Sequence, residues 1–243
     1  MSPGRAAKRL LGGLLDLLLP PRCAACDALV TPGESFCVPC AVGLMGPTSP
    51  CPRCGEPRTT PRARCPRCRH GRPAFDTLSA PLLYGGPVAD AIAKLKYQRR
   101  SDLAPQLARL FRPLLAALPE LDLVVPVPLH PQRLARRGYN QATLLARPVA
   151  RALRRPLCCD ALLRQRDTPS QTHLTPAQRR ANVVGAFIVP RAERLDGRRV
   201  LLVDDVATTG ATLDACAAAL LASSAARVDA LVLARAEGTG SPP

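Results

Sequence analysis

From Phe75 onward, short unbroken apolar runs alternate with segments in which apolar side chains recur every three or four positions. The runs read as buried strands and the periodic segments as amphipathic helices. This predicts strands over 78–84, 121–127, 183–189, 199–203 and 228–233. Helices are predicted over 88–97, 103–118, 140–153 and 211–223, with Pro148 a kink in the third. Segment 164–182 is polar and reads as a mobile loop. Within it, Thr175-Pro176-Ala177-Gln178 supplies an N-cap, a proline at the first helical position and Gln at the third, so a short helix is expected there. Strands this apolar, separated by helices, imply an α/β fold: a parallel sheet with helices on both faces.

The first third of the chain follows another pattern. Residues 1–21 read as an amphipathic helix, whose leucine run is broken by Asp16 and stopped by Pro20. Basic residues precede that run as in a signal peptide, but no small-residue cleavage site follows. Residues 22–72 have little apolar periodicity and read as a small separate domain. Residues 73–236 form the α/β domain, and 237–243, rich in Gly, Ser and Pro, read as a disordered tail. No run approaches the ~18 apolar residues of a membrane span, and the expected compartment is the cytoplasm.

Composition adds two constraints. Hydrophobic residues make up 47% of the chain but aromatics only 3%, so the core must be built of Leu, Val and Ala. The net charge is +16, carried almost wholly by arginine, since Lys8, Lys94 and Lys96 are the only lysines. That excess favours polyanionic partners, nucleic acid or phosphorylated metabolites, although an evenly solvated basic surface explains it too.

Eight of the 11 cysteines lie before residue 70. They form four Cys-x-x-Cys pairs, Cys23/Cys26, Cys37/Cys40, Cys51/Cys54 and Cys65/Cys68, each separated from the next by ten residues. Two thiolates so close in sequence can converge on one metal, and two pairs supply the four soft ligands of tetrahedral zinc. Eight cysteines therefore predict two structural zinc ions. Sequential sites give the more compact ribbons; a cross-braced pairing, first with third and second with fourth, also satisfies the spacing. With no open ligand position, a catalytic zinc is not expected.

Val200–Val203 is an apolar run that ends in Asp204 and Asp205, followed by Ala207-Thr208-Thr209-Gly210-Ala211-Thr212 and a helix. Ligands of open parallel sheets bind where strands end. Backbone N–H groups at a helix N-terminus can surround a phosphate, and Gly210 lets the backbone come close. Thr208, Thr209 and Thr212 add hydroxyl donors. The two carboxylates can accept hydrogen bonds from vicinal ribose hydroxyls, provided the strand ends there, because adjacent strand residues point to opposite faces. No Lys follows Gly210, which excludes a Walker A loop.

Residues 200–212 resemble the phosphoribosyl-pyrophosphate (PRPP) motif of type I phosphoribosyltransferases. A narrower resemblance is to the ComF family, with its ComFC- and GntX-type members. It rests on Leu95-Lys96-Tyr97, on Pro126-Val127-Pro128-Leu129-His130-Pro131, on Arg133, Arg136 and Arg137-Gly138-Tyr139-Asn140-Gln141, and on Arg179-Arg180 with Asn182–Phe187, together with the double zinc ribbon. The resemblance implies that Asp204 and Asp205 hold the ribose hydroxyls, that 207–212 hold the 5-phosphate, and that magnesium accompanies PRPP. It places Arg136 and Arg137 beside the pyrophosphate, and Arg164, Arg166, Arg179 and Arg180 on a flexible catalytic loop; each is also explicable as a solvated arginine. Lys96 is implied as a phosphate ligand or a helix-surface lysine. Purine-salvage enzymes carry an acid where this chain has Thr208, which argues against a purine acceptor.

Three functions follow: a PRPP-binding protein linked to natural transformation and the handling of single-stranded DNA, an active phosphoribosyltransferase with a non-purine acceptor, or a zinc-ribbon adaptor for nucleic acid or a helicase. The expected partners are PRPP, single-stranded DNA and DNA-uptake or helicase proteins.

Overall fold

The computed structural model describes residues 20–61, 65–69, 71–166, 183 and 185–237. The predicted leading helix, the short helix at 175–178 and nearly all of the tail lie outside the described residues. The elements are α1 (Val38–Val42), α2 (Pro66–Arg69), β1 (Thr77–Ser79), β2 (Leu82–Leu83), α3 (Gly86–Tyr97), α4 (Ala104–Ala108), α5 (Arg112–Leu115), β3 (Leu123–Pro126), α6 (Pro131–Arg137), α7 (Gln141–Leu153), β4 (Leu163–Arg164), β5 (Phe187–Ile188), β6 (Arg199–Ala207), α8 (Ala211–Ala222) and β7 (Arg227–Arg235).

The main sheet runs β1-β7-β6-β3, with β2 also on β7, and every pairing is parallel. Its alternating side chains feed two cores. Val124, Leu201, Val203, Leu231 and Leu233 pack with α3, α4 and α7 on one face. Val125, Val200, Leu202, Ala230 and Val232 pack with α8 on the other. Burial on both faces is why the strands read as unbroken apolar runs. Among the described residues, no helix is long and apolar enough to cross a membrane.

The structure departs from the expected elements where proline intervenes. The strand expected at 78–84 is split into β1 and β2, both in one register with β7, at Ala80-Pro81, where Pro81 has no N–H for the ladder. The single helix expected at 103–118 is a chain of short α and 3-10 turns, with Pro105 and Pro113 each in the first turn of its α segment. Among the described residues of the strand expected at 183–189, only Phe187 and Ile188 are paired, and they lie antiparallel to β4 in a separate ribbon.

Both cysteine ribbons rest on the α/β unit. Cys23, Ala24, Ala25 and Phe36 of the first join the core that holds Leu95, Leu103 and Leu107. Asp27 pairs with Lys94 and with Arg100, the latter at 2.9 Å, and the Ser35 hydroxyl donates to the Gln106 carbonyl at 2.9 Å. The second ribbon lies beside β1 and the end of β7, where the Arg235 guanidinium donates to the Cys54 carbonyl at 3.2 Å.

Candidate PRPP site and zinc centres

The sheet opens a cavity where β3 stops. Pro126 pairs with Val203, but β6 continues through Asp204 and Asp205 to Ala207. The strand therefore does not end at the two acids, as their shared reach had seemed to require. Asp205 faces the core of α3 and Asp204 the core of α8, yet both line one cavity of about 430 Å³, because the neighbouring strand has ended and left the edge of β6 uncovered. Each carboxylate also caps the backbone that follows: Asp204 Oδ1 accepts from the Asp205 N–H at 2.8 Å, and Asp205 Oδ1 from the Val206 N–H at 2.9 Å.

The two acids differ in charge environment. Burial pushes the Asp204 carboxyl well above its usual range, and the adjacent Asp205 adds to that. Asp205 instead faces Lys96, whose ammonium stands 2.8 Å from Oδ2. Burial works against the Lys96 charge, but the carboxylates of Asp205 and Asp204 together with Tyr97 outweigh it and raise the lysine. Lys96 thus reaches into the cavity from the last turn of α3, but its partner in this structure is an acid.

The sequence Arg137-Gly138-Tyr139-Asn140-Gln141 shapes the cavity's other wall. Gly138 takes the left-handed conformation, φ 84°, that ends α6. The Tyr139 hydroxyl donates to the Leu95 carbonyl at 2.6 Å and so ties this turn to α3. Asn140 caps α7, accepting from the Ala142 N–H, while its amide donates to the Val127 carbonyl just past β3. Gln141 accepts from Arg137, whose guanidinium also lies over the Tyr97 ring at 5.7 Å.

Arg137 lines the cavity, and so does Arg133, one turn earlier on α6. Arg136 is exposed and lies outside the lining. The family resemblance includes Arg133 but implies no role for it, although its i,i+4 relation to Arg137 places both on one helix face. Arg164 is buried, lines the cavity and lies over the Phe187 ring at 5.5 Å. Arg166 is exposed, and Arg179 and Arg180 lie outside the described residues. Lys96, Arg133, Arg137 and Arg164 give the cavity four cationic side chains against the two acids. That excess suits a polyanion, and forked guanidinium groups suit phosphate oxygens.

The loop after β6 completes the floor. Thr208 and Thr212 line the cavity. Ala207, Gly210 and Ala211 are buried, and the Thr209 hydroxyl accepts from the Ala211 N–H at 3.3 Å. Gly210, φ 68°, turns the chain into the 12-residue α8. The first amides of α8 have no carbonyl partner within the helix, and such a helix start suits an anion.

The cysteines form two sequential tetrads, Cys23/Cys26/Cys37/Cys40 and Cys51/Cys54/Cys65/Cys68, with the sulfurs of each within 4.8 Å of one another. This resolves the choice between sequential and cross-braced pairing. Separations of 3.5 Å (Cys26–Cys37), 3.4 Å (Cys54–Cys65) and 3.9 Å (Cys51–Cys68) suit the edge of about 3.8 Å implied by a tetrahedron with Zn–S near 2.3 Å. None of these cysteines is in a disulfide. The charges fit as well. Burial raises the Cys23 thiol, but backbone N–H groups of Cys26 and Cys37 more than offset it and bring it to about 6, while burial and the neighbouring thiols push Cys40 upward. In the second tetrad burial pushes Cys68 up to about 11. Thiols this close cannot all ionise unless a dication joins them. Both tetrads fit structural zinc.

Two domain families match separate parts of the chain. A double zinc ribbon domain family matches residues 14–69, and a phosphoribosyl transferase domain family matches 140–243. The DNA utilization protein YhgH of Salmonella typhi is 35% identical over 219 residues, which cover 88% of this chain and 89% of that protein. The protein of that name from Escherichia coli K12 is 37% identical over 160 residues, 63% of this chain and 69% of its own length. Competence protein F of Haemophilus influenzae is 36% identical over 151 residues, 58% of this chain and 65% of its own length. Among solved structures, glutamine PRPP amidotransferase from B. subtilis aligns with TM-score 0.35 and 21% identity over 55% of this chain and 26% of its own. The chain belongs to the ComF family, in which a double zinc ribbon is joined to a phosphoribosyltransferase fold.

Proposed function

We propose that the cavity at the end of β6 binds PRPP with magnesium in the cytoplasm, and that this binding serves the use or uptake of DNA. One observation carries the reading: Asp204 and Asp205 share a cavity with Thr208, Thr212 and four cations. The acids suit ribose hydroxyls, which donate to carboxylates. The loop and the start of α8 suit the 5-phosphate dianion. Arg133, Arg137, Arg164 and Lys96 suit the diphosphate. Bound magnesium would neutralise diphosphate oxygens and make that group a better leaving group. For Lys96 to engage phosphate it must exchange Asp205 for the ligand, which frees that carboxylate for the ribose. The names of the relatives, DNA utilization protein and competence protein, support the cellular role.

In a thermal-shift experiment, PRPP with magnesium raises the melting temperature of the wild type. The double variant Asp204→Ala, Asp205→Ala loses that shift and, returned to a transformable host, fails to restore DNA uptake. A wild type that does not respond to PRPP rules the reading out.

A further inference from the structure

The second zinc ribbon ends in contact with the phosphate loop. Arg235, the last residue of β7, is 1% exposed. Its guanidinium spans two parts of the molecule that lie far apart in sequence. One side donates to the Cys54 carbonyl at 3.2 Å and pairs with Glu56, both in the first knuckle of the second tetrad. The other donates to the Ala207 carbonyl at 2.9 Å and to the Thr208 carbonyl, both in the phosphate loop. Burial, with the nearby Arg67 charge adding to it, pushes Arg235 below the ordinary arginine value, and Glu56 opposes that.

The consequence for the loop follows from peptide geometry. In a trans peptide the C=O and N–H point in opposite directions. A guanidinium that holds the Thr208 carbonyl therefore turns the Thr209 N–H away from itself. The Ala207 carbonyl, held by Arg235 and by the Ala236 N–H at 2.9 Å, fixes the Thr208 N–H in the same way. These are two of the amides that a 5-phosphate would need.

Two further contacts set the knuckle against the loop. Gly55 has φ 68°, and a Cβ there would stand 2.5 Å from the Leu78 side chain of β1, so the knuckle sits directly on the sheet edge. Arg67, between Cys65 and Cys68, places its guanidinium 3.2 Å from where a Cβ on Gly210 would be. The tetrad thus holds one arginine over the loop and, through Cys54 and Glu56, orients another beneath it.

The geometry points to Arg235 as a positioning residue for the phosphate-binding amides, held in place by the metal-organised second ribbon, so that zinc in the second tetrad governs affinity for the phosphorylated ligand. This rests on the PRPP reading of the site, but the coupling of ribbon to loop can be measured without any ligand.

The test uses the full-length protein with Arg235→Met, which keeps the volume and removes the donors, and Arg235→Lys, which cannot span both sets of carbonyls. Zinc content, amide hydrogen exchange over 207–212 and PRPP–magnesium affinity are measured on each. Arg235→Met is expected to keep its zinc, to exchange the loop amides at least about tenfold faster, and to bind PRPP at least about tenfold more weakly, with Arg235→Lys in between. Unchanged loop exchange in a folded, zinc-loaded Arg235→Met overturns the inference, and so does affinity within about twofold of wild type. Should Arg235→Met fail to fold, Glu56→Ala and the pair Cys65→Ser, Cys68→Ser decide it by the same two readouts. Should the wild type bind no PRPP, the proposed ligand falls, while the exchange rates still decide whether the ribbon holds the loop.

Discussion

The two cysteine ribbons follow one spacing rule and dock in opposite ways. The first is built into a core: Phe36, Ala24, Ala25 and Cys23 are buried among the side chains of α3 and α4, and polar ties from Asp27 and Ser35 surround them. Among the described residues, the buried cluster of the second contains only its own cysteines. Its attachment to the sheet is a close backbone approach at Gly55 and the polar bridge of Arg235. Apolar burial is non-directional and scales with area, whereas a guanidinium fork fixes orientation. The comparison therefore assigns stability to the first ribbon and alignment of the phosphate loop to the second. A repeated motif has diverged through what each copy touches.

The largest expected effect breaks the comparison on its stability side. Cys37→Ser with Cys40→Ser should lower the zinc content from two ions per chain, one for each tetrad, to one by elemental analysis. Loss of that ribbon exposes Phe36 and part of the α3–α4 core, and a structural zinc supplies folding free energy directly. We expect a loss of at least ~3 kcal/mol in denaturant unfolding, in the range for a lost metal or core aromatic. The matching pair in the second tetrad should cost less in unfolding. Equal losses from the two pairs would remove the distinction.

A smaller effect separates the ligand cavity from the ribbons by the sign of its pH dependence. The Asp204 carboxyl is raised by burial and by Asp205. Between the ordinary carboxylate value and the raised one, the folded state holds a proton that the unfolded state has released. Stability then falls as pH rises through that window, by up to about 1.4 kcal/mol per pH unit. Asp204→Asn removes the titration and keeps an oxygen for the Asp205 N–H. The unliganded variant should melt above wild type, with the gap widening as pH rises, while its response to PRPP is lost. A gap that narrows with rising pH would show that the carboxyl is not held protonated.

How much of this was legible in the sequence depends on the range of the physics involved. The strand cores, the acids within β6 and the cysteine tetrads are local: each is carried by residues within one run or one repeat. The pairing of tetrads stayed open because a constant spacing satisfies two schemes, and only proximity in space decides between them. Arg133 was within reach, since helix periodicity puts it beside Arg137 and turns Arg136 away. The broken helix over 103–118 was likewise readable at Pro105 and Pro113. Arg235 was not. It stands alone at a strand end, 181 residues from Cys54 and 27 from Thr208, and no local pattern marks it.

The smallest prediction tests the polar rim of the first ribbon. Lys94 and Arg100 hold the Asp27 carboxyl below its ordinary value through hydrogen bonds, which outweigh its slight burial. The sign is opposite to that of Asp204: the stabilisation is present above the unfolded pKa and is lost as pH falls through the lowered one. Its size is small, because the Asp27 side chain is 40% exposed and solvent screens the pairs. Asp27→Asn should cost about 0.5 kcal/mol at neutral pH and less in high salt. Below the lowered pKa variant and wild type should converge. PRPP affinity should stay within about twofold of wild type, as no contact joins Asp27 to the phosphate loop directly. A larger fall in affinity would mean that the first ribbon also reaches the ligand, through α3 and Lys96, and that alignment is shared between the two ribbons.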